Sequence, residues 1–132
     1  VLSKISKKKI IIKPGKIYNI LKGLSKKIIL TTGNTQDIGI QMSKNKYKGF
    51  SVYSIPAWGM KFKKNFIKSI KNISTIVTVE DHFYDGGFGS WVNKSIKLKK
   101  NNIKIFSEFI SNKTIYEVGS KKYLLNKYGP KI

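Results

Sequence analysis

Short runs of β-branched residues alternate with stretches whose apolar positions recur every three or four residues, from about position 28 to the end of the chain. The first run covers residues 28–32 and closes at Gly33, where Asn34 or Thr35 is placed to cap a helix carrying Ile38 and Met42 on one face. A second run, residues 50–55, ends at Pro56. After the Trp58-Gly59 turn, Phe62, Phe66, Ile70 and Ile73 recur at intervals of four, four and three, which predicts one helix with these side chains in a single stripe. The third run, residues 75–79, is β-branched at every position and lacks polar alternation, so it is expected inside the sheet. A helix pattern with Phe88, Val92 and Ile96 four apart follows, then a fourth run at 103–106. A short helix over about 121–127, with Leu124 and Leu125 inward, stops at Gly129-Pro130. Strands alternating with helices in this way are the sign of βαβ units, hence an α/β fold with a largely parallel sheet.

Residues 1–26 lack the rhythm. They are basic, contain one apolar run, Ile10-Ile11-Ile12, and a turn signal at Pro14-Gly15, and read as a linker and lead-in with a short extended segment. The domain itself is expected over residues 27–132. A chain of 132 residues holds one core, and 40% hydrophobic residues supply the material for it. No apolar run approaches the roughly 20 residues of a membrane span, so a soluble protein is expected. The absence of Cys fits a reducing compartment, and the cytoplasm is the expected location. The chain opens on Val1 rather than Met and reads as a piece of a longer protein.

The formal net charge of +21 raises the question of a polyanionic partner. All 27 basic residues are Lys, however, and groove readers depend on the planar Arg fork for bidentate contacts to guanine and phosphate. The lysines are spread along the whole chain with abundant Ile and Asn and a single Ala, Ala57, a pattern that A/T-rich codons produce. A solvated basic surface is therefore favoured over a reader of specific nucleic acid. A basic polyanion-binding module stays as an alternative of another class, and weak, salt-sensitive retention by polyanions follows in either case.

The end of the third run carries the chemistry. There the chain reads Glu80-Asp81-His82-Phe83-Tyr84-Asp85-Gly86-Gly87-Phe88-Gly89-Ser90, so three of six acidic residues fall within six positions of each other, beside the one histidine. Gly86, Gly87 and Gly89 suit a tight strand-to-helix turn in which backbone approaches backbone, and such a turn aims N–H groups outward as anion sites do. Glu80, Asp81, His82, Asp85, Gly86, Gly87, Gly89 and Ser90 are thus the candidates for an interface or anion-binding site. His82 is the candidate general acid or base, with Glu80, Asp81 or Asp85 as partner; the favoured reading is a histidine hydrogen-bonded to a neighbouring carboxylate and fixing the turn. A metal site is not expected, since no second His or helical His spacing exists. Trp58 and Trp91 read as core or interface filler.

These residues resemble a family. Thr78-Val79-Glu80-Asp81-His82 with Gly86-Gly87-Phe88-Gly89-Ser90 is similar to the V-E-D-H and G-G-x-G signature of the transketolase C-terminal domain. A strand ending Thr-Gly near position 33, Pro56 after the second strand, and a closing G-S-x-x-x-L-L-x-x-Y-G from Gly119 to Gly129 agree in order, so that the resemblance covers about residues 16–130. The β subunits of 2-oxo acid dehydrogenases and deoxyxylulose-phosphate synthase carry the same domain and remain as alternatives; the Asp81-His82 pair looks more like transketolase. Lys61, Lys63 and Lys64 stand where relatives have an acidic residue after the Pro, and Trp91 where a small residue is common.

The resemblance implies a three-layer α/β/α sandwich with a mostly parallel sheet of about five strands. It also implies a non-catalytic part in a transferase that moves two-carbon ketol units between sugar phosphates. In that family, thiamine diphosphate and Mg²⁺ are held by a Gly-Asp-Gly motif and a downstream Asn, and a Glu on the middle domain activates the cofactor. None of these features is in the chain, and Asp85-Gly86-Gly87 has the wrong order. No cofactor is expected on the chain alone. The implied partners are the cofactor-binding and middle domains of the same enzyme and a second copy of the whole, with neither membrane nor specific nucleic acid among them.

Overall fold

The computed structural model describes residues 11–82, 84, 86–97, 102–109 and 118–132. Five strands form one sheet: β1 (Tyr18–Leu21), β2 (Leu24–Thr31), β3 (Phe50–Ser54), β4 (Thr75–Val79) and β5 (Lys104–Glu108), in the order β1-β3-β2-β4-β5. β2 pairs in parallel with β3 and β4, β4 pairs in parallel with β5, and β1 runs antiparallel along β3 at one edge. The helices are α1 (Gln36–Lys44), α2 (Lys63–Ser69), α3 (Phe88–Lys97) and α4 (Lys121–Tyr128).

The two-residue period of the strands sorts the core. Ile28, Leu30 and Ile76 point to the face covered by α2 and α3, where they meet Phe66, Ile70, Phe88, Trp91, Val92 and Ile96. Ile29, Val52, Val77 and Val79 point the other way, onto Met42 of α1. α4 lies on that second side, where Leu125 and Ile38 of α1 line a common hollow. Helices on both faces of a mostly parallel sheet make the three-layer α/β/α sandwich that the sequence implies. All five residues of β4 are buried between β2 and β5, in keeping with its unbroken apolar character.

Three boundaries differ from the sequence pattern. The extended segment of the lead-in is β1, and β2 begins at Leu24 rather than near 28: Leu24 pairs with Phe50, the register with β3 shifts before Ile28, and Ser25, Lys26 and Lys27 in between stay exposed. Tyr18–Leu21, inside the stretch read as linker, is thus part of the sheet. The single helix expected over 62–73 is a 3₁₀ turn, Met60–Phe62, followed by α2, which ends at Ser69. Phe66 and Ile70 keep the buried stripe, while Ile73 packs from the loop that enters β4. The inward Leu124 and Leu125 of α4 are only half-buried.

Candidate functional site

Strand β2 leads into α1 on one face of the sheet and β4 leads into α3 on the other, so the chain leaves these adjacent strands in opposite directions. A crevice opens at their carboxyl ends, where open α/β sheets place ligands or partners. The Thr35 hydroxyl spans it, donating to the Val79 carbonyl at 3.1 Å and accepting from Thr32 N–H at 3.1 Å.

Alternation along β4 separates the acidic residues that sequence proximity grouped together. Glu80 continues the even-numbered positions, which face α3, and is fully buried. Its Oε2 accepts a hydrogen bond from Gly89 N–H in the first turn of α3, while Oε1 is buried without a partner among the described residues. Burial raises the Glu80 carboxyl above the ordinary carboxylate range; the Gly89 N–H and the nearby His82 oppose the rise, and Asp81 adds to it. The close approach explains Gly89. A Cβ there would lie 2.9 Å from Thr78 Oγ1, 3.0 Å from Ser107 Oγ and 3.1 Å from Glu80 Oε2. Thr78 and Ser107 are themselves hydrogen-bonded at 3.0 Å, so the amino end of α3 is seated on a buried polar cluster from β4 and β5.

Asp81 follows the odd-numbered positions toward the α1 and α4 side. Its Oδ2 lies 3.4 Å from Lys121 Nζ of α4, and its Oδ1 lies 3.3 Å from His82 Nε2. The His82 side chain is 73% exposed, a setting in which a proton donor or acceptor has no enclosure from water. Gly86 takes the left-handed conformation, with φ +70°, and Gly87 N–H closes the turn onto the Tyr84 carbonyl at 3.0 Å. Ser90 is buried under the same turn. Asp85 lies outside the described residues. Glu80 and Gly89 are therefore joined at the amino end of α3, Ser90 follows on the same turn and lines a hollow there, Asp81 and His82 sit outward, and Gly86 and Gly87 join the two groups.

Two further groups were not legible in the sequence. At the end of β5, Glu108 Oε1 accepts from the Tyr47 hydroxyl at 2.7 Å and from Lys46 Nζ. Burial, with the hydrogen bond to Glu108, pushes the Tyr47 phenol up. These residues lie about sixty positions apart, and only the parallel register of β5 brings them together. Beside the corner, Trp58, Phe66, Phe88 and Trp91 form a chain of ring contacts with centroids 5.1 to 6.4 Å apart. Trp58 and Trp91, with Gly59, Lys63, Gly86, Gly87, Ser90 and Lys94, line a hollow of about 210 Å³. A sequence signal existed, in that Trp58 and the Gly-rich turn both follow strand ends, but it did not specify the pairing.

The described residues contain no cluster of three His, Cys, Asp or Glu side chains that could hold a metal ion. Asp81 is engaged with His82 and Lys121, and Glu80 with Gly89. The residues described do not fit a diphosphate-bound magnesium. No helix among them is long and apolar enough to cross a membrane.

Among solved structures, the chain is similar to one described as a split-gene transketolase, an inactive β4 tetramer, with a TM-score of 0.71 and 20% sequence identity. The match covers 92% of this chain and 40% of that one, so the chain spans well under half the length of its structural neighbour. No protein-family model matches the chain. No curated protein matches it either. The likeness establishes a transketolase-like fold.

Proposed function

We propose that the chain is the C-terminal, non-catalytic domain or subunit of a transketolase-like, thiamine-diphosphate-dependent transferase that moves two-carbon ketol units between sugar phosphates in the cytoplasm. The observation that carries this reading is a transketolase-like fold over 92% of the chain, with the V-E-D-H and G-G-x-G segments at the carboxyl end of an interior strand. A buried carboxylate fixes α3 there, and its neighbours Asp81 and His82 face outward as contact groups. In this reading the cofactor and its metal reside on sister domains, and the chain contributes packing and dimer extension. The neighbour's description as an inactive β4 tetramer from a split gene, with 40% of that chain matched, supports a form in which a longer piece that includes such a domain is a separate subunit.

The test is reconstitution. The purified chain is mixed with the cofactor-binding and middle domains of a transketolase-like enzyme from the same source, and two-carbon transfer between sugar phosphates is measured. The expected result is no turnover by the chain alone and a gain of at least tenfold when it is added to the other domains. Equal rates with and without the chain would refute the reading.

A further inference from the structure

The hollow between α2 and α3 has a composition that packing alone does not explain. Its rim carries Lys63 and Lys94, and neither forms an ion pair among the described residues. Its wall holds Ser90, 9% exposed, whose hydroxyl has no hydrogen-bond partner among the described residues. The wall also holds Trp91, 6% exposed, whose indole N–H is buried with no acceptor among the described residues. One hydroxyl and two ammonium groups without ion pairs among the described residues thus border one cavity, beside a buried indole N–H that lacks an acceptor there. Buried polar groups in folded proteins are almost always satisfied, and those that are not call for an occupant or a role.

The backbone adds to the attraction. The hollow lies against the first turn of α3, a helix of ten residues, whose N-terminal N–H groups carry partial positive charge. Glu80 takes Gly89 N–H on the inner side of that turn, leaving Ser90 to face the hollow. The approach beside Gly86 is open, for a Cβ there would meet nothing within 4 Å. At about 210 Å³ the cavity is smaller than the roughly 300 Å³ at which ligand pockets begin. That size suits a compact anionic head group, with Trp58 presenting an aromatic wall to whatever the head group carries.

We infer that this hollow binds a phosphoryl dianion, as inorganic phosphate or as the phosphate end of a small phosphomonoester. Lys63 and Lys94 supply charge, the Ser90 hydroxyl supplies a directed donor, and the positive end of α3 adds to the field. The inference does not rest on the transketolase-like role, since it follows from the donors and charges around one cavity.

Trp58 and Trp91 are the two tryptophans of the chain, and both line the hollow, so intrinsic fluorescence reads occupancy directly. The full 132-residue chain is titrated with inorganic phosphate and with ribose 5-phosphate, against KCl of matched ionic strength. A saturable change with either phosphate and none with KCl is expected. Tighter binding of the ester would identify a phosphorylated small molecule as the source; equal affinities would identify the phosphoryl group alone. The double substitution Lys63→Gln with Lys94→Gln is expected to weaken binding by about tenfold or more, and Ser90→Ala by a few-fold. Lys13→Gln with Lys68→Gln, in a separate lysine-lined hollow, is expected to leave binding unchanged.

A measurement without substitutions guards against misfolded variants: phosphate should protect Lys63 and Lys94 from amine-directed labelling, read by mass spectrometry, and leave Lys13 and Lys68 labelled. A response that follows ionic strength alone, persists in the Lys63/Lys94 variant, or comes without selective protection would overturn the inference and leave only the diffuse attraction of a +21 chain.

Discussion

Glu80 is the residue on which the corner turns. A carboxyl with a raised folded-state pKa binds its proton more readily in the folded chain than in the unfolded one. Its contribution to stability is therefore present in full below the ordinary carboxylate range and is lost as pH rises through the raised value. Glu80→Gln keeps the shape and an acceptor for Gly89 N–H but cannot ionise. Thermal unfolding followed from pH 4 to 8 should show wild type losing stability across that window relative to the Gln variant; parallel curves would mean that the buried carboxyl does not titrate with folding. Gly89 and Gly86 make a paired test of space against conformation. Gly89→Ala drives a methyl group against Thr78, Ser107 and Glu80 and should cost about 1–3 kcal/mol by overpacking. Gly86→Ala meets open space and should cost about 1–2 kcal/mol, from the left-handed backbone alone. Urea denaturation of each variant with and without a second substitution separates the two, because the relief offered by Thr78→Ala or Ser107→Ala, each of which removes a crowding hydroxyl, should act on Gly89→Ala only. At this scale the sequence showed which residues cluster but not where they point. Glu80 and Asp81 are neighbours in the chain, yet strand alternation sends one under α3 and the other toward Lys121 of α4.

Among the elements, the order of strands and helices was legible because the period changes cleanly from two to nearly four at each boundary. The interior place of β4 followed from its five β-branched residues, all of them buried. What the pattern missed has physical causes. Residues 70–73 match a helical spacing, but α2 stops at Ser69, and Ile73 reaches the same core from a loop. β1 was legible only as an extended segment of the lead-in, and its place in the sheet was not, because Ile20 and Leu21 are both exposed apolar neighbours, so no alternation marks a buried face. The two positions of the supposed stripe should therefore behave differently. Phe66→Ala removes a fully buried ring that touches Trp91 at 5.1 Å and should cost about 3–5 kcal/mol. Ile73→Ala, half-buried in a loop, should cost about 1 kcal/mol. Equal losses in chemical denaturation would restore a continuous helix through residue 73.

For the whole molecule, the sheet order puts the structured corner, the phosphoryl hollow and the crevice between β2 and β4 at one end of the sheet, while most of the +21 charge is spread over the surface. That asymmetry suits a domain that offers one end to its partners and keeps the rest in solvent. The α/β class and parallel sheet could be read from periodicity, whereas the layers and strand count came from the family resemblance. The outward placement of Asp81 and His82 became visible only with the fold. We propose this corner as the contact surface for sister domains. The most direct measurement is backbone hydrogen exchange of the chain, alone and mixed with the cofactor-binding and middle domains of a transketolase-like enzyme from the same source. Mixing should slow exchange over residues 80–90 and at the start of α4; protection confined to β1 and the lead-in, with the corner unchanged, would rule out a contact surface there.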